Sequence, residues 1–205
     1  QHHPILQRSD MQNLAVFTGD IVRSRNLDSH DLSGLFDALR AACDTVGRWP
    51  DEMALFERFR GDGWQMALPA RYALRAALVM RAAVRTTGKG RSTRIGIGID
   101  SGEISGESLA GAQGPAFVQS GHALDDMKRN ILLSAPDGPA TLRICLPMAD
   151  RIAQNWTPKQ ASVAQHMLVP TPCHARNHRS TAWPQPPAVA KAGKCGRRFR
   201  PDRKL

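Results

Sequence analysis

The segment RIGIGID, residues 94–100, constrains the fold more than any other part of the chain. Isoleucine and glycine alternate along it, so Ile95, Ile97 and Ile99 lie on one face and Gly96 and Gly98 on the other. Alternation with a period of two predicts a strand whose isoleucine face is buried. Gly96 and Gly98 have no side chains, which lets another backbone or a ligand come close at these two positions.

Further strands are predicted on both sides of this segment. The apolar run at 14–22 has the length of a buried strand, and "ILLSA" near residue 133 predicts a short one. Two strand-like runs flank the Gly61-Asp62-Gly63 sequence. An Asp-Gly between two such runs is a strong hairpin signal.

Helical spacing of apolar residues separates the strands. Helices are predicted at 32–46, 71–85, 116–129, 141–155 and 157–168. The second is expected to place Arg81 outward, and Pro147 is expected to interrupt the fourth. The order β-α-β-β-α-β-α-β predicts an α+β fold: a ferredoxin-like sandwich in which helices pack on a mixed sheet that carries the Asp-Gly hairpin.

Composition divides the chain into a folded part and two flanking segments. We expect a leader at 1–11, a domain at 12–155, a helix at 156–168 and a tail at 169–205. The tail is proline-rich and holds nine Lys or Arg and one acid, so most of the formal charge of +10 lies there. It has too few large apolar residues to offset the entropy of ordering, which predicts disorder. Its Arg, Pro, Ala and Cys bias also suggests an out-of-frame end.

The cysteines and the hydropathy pattern indicate the compartment. Cys43, Cys145, Cys173 and Cys195 lie far apart without a CxxC pair, which favours reduced thiols and a cytoplasmic location. Cys43 and Cys145 stand among apolar neighbours and are predicted to be buried. No apolar run approaches the roughly 18–20 residues of a membrane-spanning helix, so no membrane partner is expected.

Two aspartates stand where predicted strands end. Asp20 follows the first apolar run, and Asp62 lies at the hairpin tip. In a sandwich of this order the first strand and the hairpin are commonly adjacent, which brings the two carboxylates together. Neighbouring carboxylates are the hard oxygen ligands that Mg²⁺ or Mn²⁺ needs. The alternative is structural, with both residues serving turn geometry, and the spacing alone leaves both open.

Three motifs in order resemble the class III nucleotidyl cyclase family: "FTGDIV", "FERFRGDGWQMAL" and "RIGIGIDSGEISG". That family has a strand ending in Asp-Ile, a hairpin carrying Gly-Asp and an Arg-x-Gly-Ile strand followed by glycines. The resemblance covers residues 13–129. It implies a nucleotidyl-cyclase-like domain that converts a nucleoside triphosphate to a 3′,5′-cyclic nucleotide and pyrophosphate by two-metal catalysis.

The resemblance also implies roles for individual residues. The metal ligands for Mg²⁺ or Mn²⁺ would be Asp20, Asp62 and the main-chain carbonyl of Ile21. The turn formed by Val22, Arg23 and Ser24 would bind phosphates. The family functions as a dimer, which implies a homodimer in which the metal aspartates of one protomer face the transition-state residues of the other.

The chain departs from the family at the implied nucleotide pocket. Arg58 is the implied base-selecting residue, where the family usually has Lys or Glu, and Val118 falls at the second such position. Asp125 and Arg129 are the implied catalytic pair, but Asp125 replaces an asparagine and would repel a polyphosphate unless screened. An exposed i, i+4 ion pair is their structural alternative. The identity of the base stays open.

A second hypothesis is not enzymatic. "WTPKQASVAQHML" resembles the first helix of the helix-turn-helix in small bacterial proteins that combine a "TGDIV"-type start with a cyclase fold. Residues 156–168 would then begin a truncated DNA-binding unit. Asp20 and Asp62 would bind a nucleotide or metal in the inactive sensor domain of a transcription regulator. The basic tail by itself would attract DNA only through phosphates.

Overall fold

Five strands and five α-helices make up the part of the chain that the structure, a computed structural model, describes: residues 12–49, 54–59, 61–106 and 108–169. The strands are β1 (Gln12–Ile21), β2 (Leu55–Arg58), β3 (Gly63–Pro69), β4 (Thr93–Gly102) and β5 (Leu133–Ser134). The helices are α1 (Ser29–Val46), α2 (Ala73–Thr86), α3 (Pro115–Asp125), α4 (Ala140–Gln154) and α5 (Pro158–Leu168). The predicted leader at 1–11 and the tail from residue 170 lie outside the described residues.

The sheet has the strand order β2-β3-β1-β4-β5. β1 pairs antiparallel with β3 and with β4, β2 pairs antiparallel with β3, and β5 runs parallel to β4. β1 and β2 therefore run parallel with β3 between them, and β3 and β4 run parallel with β1 between them. Two such interlocked β-α-β units are the ferredoxin-like arrangement. The predicted α+β fold with a mixed sheet is confirmed.

Helices cover both faces of the sheet. On one face Phe17, Ile95 and Ile97 pack into the main core with residues of α1, α2 and α4. On the other face a smaller cluster includes Leu14 and Val16 of β1 with Ala116 of α3. The large apolar side chains are thus concentrated on one side of the sheet.

The glycine face of β4 meets the backbone of α3. A Cβ atom built on Gly98 would lie 2.0 Å from the carbonyl oxygen of Ala116, and one on Gly96 would lie 2.4 Å from that of Ser120. Only glycine fits at such distances. The predicted close approach at this face is confirmed, and the approaching group is a backbone.

The ends of the helices follow their sequence signals. Asp28 caps α1, accepting a hydrogen bond from the backbone N–H of Asp31, and Gly47 ends it. Thr157 and Gln160 form a reciprocal capping box at the start of α5. α5 packs on α2, with Ala161 fully buried. None of the helices in the described ranges is both long and apolar enough to cross a membrane.

Three expectations are corrected by the structure. Arg81 is buried, because α2 is covered by the sheet and by α5, and its guanidinium donates to Ser92 and to the carbonyl of Thr93. α4 continues through Pro147, which lies on the exposed side and only omits one backbone hydrogen bond. Cys145 is exposed because it lies off the Leu142–Leu146–Asp150 face by which α4 packs.

Candidate functional site

Four parts of the chain line a cleft of about 440 Å³ at one end of the sheet. They are the end of β1 with the turn after it, the hairpin tip, the start of β4 and the segment after α3. The predicted site residues that line this cleft are Asp20, Ile21, Val22, Arg23, Ser24, Asp62 and Arg129. Arg25 and Arg94 also line it. We call it the charged cleft.

The pairing of β1 with β3 brings the two aspartates to this cleft. Asp20 lies opposite Gly63, and the backbone N–H of Ile21 donates to the backbone carbonyl of Asp62 at 3.2 Å. The expected adjacency of the first strand and the hairpin is therefore confirmed.

Trp64 and Thr93 fix the position of the end of β1. The Thr93 hydroxyl donates to the carbonyl of Asp20 at 2.6 Å and accepts from the Trp64 indole N–H at 3.0 Å. A Cβ on Gly19 would lie 2.5 Å from the Trp64 ring, so a glycine is needed before Asp20. These contacts set the backbone position from which the Asp20 side chain projects.

The carboxylate of Asp20 is held by Arg94. Arg94 Nε donates to Oδ1 at 2.9 Å, and a second guanidinium nitrogen donates to Oδ2. The two residues lie opposite each other in the β1–β4 register. The side chain of Asp20 is 23% exposed and that of Arg94 is 36% exposed. Arg94 was not assigned a role from sequence. The signal that would have found it is the antiparallel pairing of β1 with β4, which places Arg94 opposite Asp20.

The carboxylate of Asp62 is held by Ser24, whose hydroxyl donates to Asp62 Oδ2. Ser24 begins a short 3₁₀ turn, Ser24–Asn26, that Val22 and Arg23 connect to the end of β1. This turn is therefore bound to the hairpin tip across the cleft.

Arg23 has a left-handed backbone, with φ 58° and ψ 34°, and is alone among the described non-glycine residues in having a positive φ. That conformation costs a residue with a Cβ about 1–2 kcal/mol. A left-handed residue followed by a right-handed turn points successive backbone N–H groups to one side, which forms an anion-binding concavity. The strained turn is thus of the kind found at phosphate sites.

Positive charge exceeds negative charge around the charged cleft. Its lining holds four arginines and two aspartates. The hydrogen bond from Arg94 to Asp20 raises the pKa of Arg94, and the charges of Asp20, Asp62 and Asp125 raise it further against the opposing effect of burial. Arg94 is therefore held in its charged form, and the cleft as a whole attracts anions.

Arg58 lies apart from the charged cleft. β2 ends at Arg58, whose side chain is exposed and whose guanidinium carbon lies 3.8 Å from the centre of the Phe36 ring. It also donates to the carbonyl of Gly61 at 3.3 Å. The guanidinium of the implied base-selecting residue thus packs on Phe36 of α1 as a cation–π partner.

The implied catalytic pair is separated by the end of α3. The helix ends at Asp125, so Arg129 lies beyond it and the two do not form a helical i, i+4 pair. Arg129 lines the charged cleft, whereas Asp125 is exposed and does not line it, although its charge acts on Arg94. Val118 is 57% exposed on α3.

The donor set of the charged cleft fits a hard divalent cation in its chemistry. Asp20 and Asp62 offer carboxylate oxygens, and Ile21 also lines the cleft. Each carboxylate is engaged by a neighbouring side chain, Arg94 or Ser24, so a cation would have to exchange with these partners.

A larger cleft of about 520 Å³ lies between β5 and α4. Its walls are mostly apolar, and it holds none of the predicted site residues. The buried Asp150 at this cleft accepts from the backbone N–H of Leu132 at 3.0 Å and from the Gln154 amide at 2.8 Å. The bond from Leu132 attaches α4 to the residue before β5, and the bond from Gln154 lies within α4, so both are structural.

Of the comparisons with known proteins, the one with solved structures finds similar chains. No family model and no curated protein matches the chain. A bacterial light-regulated adenylyl cyclase is similar with a TM-score of 0.46 and 15% identity over 64% of this chain and 44% of the other, so the chain spans less than half of that protein. The monomeric guanylyl cyclase domain of the RhoGC fusion protein from the aquatic fungus Blastocladiella emersonii is similar with a TM-score of 0.42 and 16% identity, over 58% of this chain and 77% of that domain. With TM-scores below 0.5 neither likeness carries a functional conclusion, and the fold assignment rests on the strand order of the chain itself.

Proposed function

We propose that this domain binds a nucleoside triphosphate in the charged cleft and converts it to a 3′,5′-cyclic nucleotide and pyrophosphate. The observation that carries the proposal is the meeting of Asp20 and Asp62 with a strained, arginine-bearing turn at one cleft. The order of the three sequence motifs supports the same conclusion, since each motif contributes a residue to this cleft.

The turn after β1 supplies the phosphate contacts in this proposal. Arg23 and Arg25 add charge beside its backbone N–H groups, of which that of Val22 already donates to the carbonyl of Ser92 at 2.9 Å. Arg129 approaches the cleft from the segment after α3, where a guanidinium can stabilise the charge that develops on the reacting phosphate.

Asp20, Asp62 and the main-chain carbonyl of Ile21 would hold Mg²⁺ or Mn²⁺. When bound, such ions activate the ribose 3′-hydroxyl and neutralise the pyrophosphate leaving group. The chain's own contribution is to fix both carboxylates through the β1–β3 pairing and to aim them into the same cleft as the phosphate-binding turn.

The family resemblance implies a site shared between two protomers. In this chain Arg129 lines the same cleft as the Asp20 of its own chain. That placement supports a site in which the metal ligands and the transition-state arginine come from one protomer.

The direct test is to incubate the full chain with each of the four nucleoside triphosphates and Mn²⁺ and to measure 3′,5′-cyclic products by mass spectrometry. A product is expected with the wild type and with Asp37→Asn, which removes an exposed carboxylate of α1 outside the cleft, but not with Asp20→Asn. Nucleotide-induced thermal stabilisation without any product would contradict the proposed enzyme and indicate a binding domain instead.

A further inference from the structure

We propose that Arg94 is the resident counter-ion of Asp20 and that a divalent cation enters the charged cleft by displacing Arg94 from this carboxylate. Arg94 would then set the cation concentration at which the site fills. The inference rests on the proposed function, because it concerns the same two carboxylates.

The geometry is that of a complete guanidinium–carboxylate pair. Arg94 bonds both oxygens of Asp20 from two of its nitrogens. The β1–β4 register makes the residues direct cross-strand neighbours, so the pair is built into the sheet. A bidentate pair of this kind is stronger and more directional than a single hydrogen bond.

A cation and Arg94 compete for the same two oxygens. Both groups are positively charged, so a cation bound to Asp20 repels the guanidinium that occupied the carboxylate before. Ser24 differs, because its hydroxyl is neutral and bonds one oxygen of Asp62. The competition is therefore concentrated at Asp20.

Arg94 can leave without becoming an unpaired buried charge. Its side chain is 36% exposed, so water reaches the guanidinium. The charges of Asp62 and Asp125 also act on it, which keeps carboxylates near a displaced guanidinium. Exchange at Asp20 thus avoids the penalty of stranding an ion in the core.

Mn²⁺ titrations of the full chain, with free Mn²⁺ measured by electron paramagnetic resonance, test the inference without any turnover. Arg94→Gln is expected to bind Mn²⁺ about tenfold more tightly than the wild type, since a neighbouring guanidinium stabilises a carboxylate by about that factor or more. Arg94→Lys keeps the charge but loses the two-nitrogen fork, and an intermediate affinity is expected.

Arg91→Gln is the matched control. Arg91 lies three residues earlier and pairs with Asp31 outside the charged cleft. This variant removes the same charge from the same region of the chain, so a change within about twofold is expected from long-range electrostatics alone. A tenfold tightening in Arg91→Gln as well would overturn a specific role for Arg94.

Two further outcomes separate the inference from the proposed function. Mn²⁺ binding that is lost in Asp20→Asn but unchanged or weakened in both Arg94 variants would leave the metal site standing and overturn the role of Arg94. Absence of Mn²⁺ binding in the wild type and in both Arg94 variants would overturn the metal site and the inference together. Thermal melting of each variant confirms that the titrated protein is folded, and Arg94→Lys serves if Arg94→Gln does not fold.

Discussion

Two arginine–aspartate pairs in this molecule differ in how they are solvated. Asp20 and Arg94 are partly exposed and bond each other directly, at a cleft. Asp150 and Arg81 are each 3% exposed and act on each other through space, while their hydrogen bonds go to other partners. Water reaches the first pair, so its members can change hydrogen-bonding partners. The second pair is buried, and its hydrogen bonds hold the fold together. Solvation, more than residue type, thus separates a candidate site from a structural contact.

The largest expected effect comes from the exposed pair. Asp20→Asn should lower the rate of cyclic-nucleotide formation by about 10³-fold or more, because the amide is a poor ligand for the proposed cations. The melting temperature of this variant should change little, since a partly exposed ion pair contributes only about 0–1 kcal/mol to the free energy of folding.

Rates by mass spectrometry and melting by circular dichroism give both quantities on one preparation. If Asp20→Asn lost its rate only in proportion to a loss of folded protein, Asp20 would be structural and the contrast between the pairs would disappear.

The buried pair should behave in the opposite way. Asp150→Ala removes the acceptor for Leu132 and Gln154 and leaves the charge of Arg81 uncompensated, so the free energy of unfolding should fall by about 3 kcal/mol. Urea denaturation measures the change. Asp37→Ala on the exposed side of α1 is the control, and a loss of similar size there would show that burial is not the cause.

A third buried ionisable group, Cys43, sharpens the contrast because two charged residues of its own helix act on its pKa in opposite directions. Burial, then the charge of Asp44, raise the pKa of Cys43 to about 12 against the opposing charge of Arg40. The unfolded thiol ionises near pH 9. Its contribution to stability is therefore complete below pH 9 and is lost as the pH rises towards 12, by about 1.4 kcal/mol per pH unit.

Denaturation curves at several pH values between 9 and 11 check this slope. Cys43→Ala should lose stability less steeply than the wild type over that window. Equal slopes in the two proteins would mean that other groups account for the alkaline loss.

The smallest expected effect concerns mixtures of two inactive variants, in which no activity should return. Mixing Asp20→Ala with Arg129→Ala should restore no cyclic product, because each chain brings both residues to one cleft. The mixed sample is compared with each variant alone at the same total concentration. Recovered activity would mean that the arginine acts across a dimer, as the family resemblance implies.

The sequence predicted the fold well where periodicity decides it. Alternation located β4, the Asp-Gly signal located the hairpin, and the strand order then brought Asp20 and Asp62 together. Arg81 was misjudged because a helical pattern assumes one solvated face, whereas α2 is covered on two sides. Arg94 was missed because a cross-strand partner depends on register, which no single segment encodes.

The residues of the implied nucleotide pocket were the least predictable. Arg58 was implied to select the base, but β2 ends at Arg58 and its side chain lies on Phe36, apart from the charged cleft. The helix predicted at 116–129 would have paired Asp125 with Arg129, but it in fact ends at Asp125. In both cases the residue at which β2 or α3 ends determined the position of the side chain, and sequence periodicity locates such ends poorly.

The contact between α3 and the glycines of β4 limits how the charged cleft can move. With the backbones of Ala116 and Gly98 in contact, α3 cannot slide towards the sheet, and any tilt would have to lift the whole helix. A side chain at Gly96 or Gly98 would therefore push α3 off the sheet, and with it the segment that carries Arg129 into the cleft.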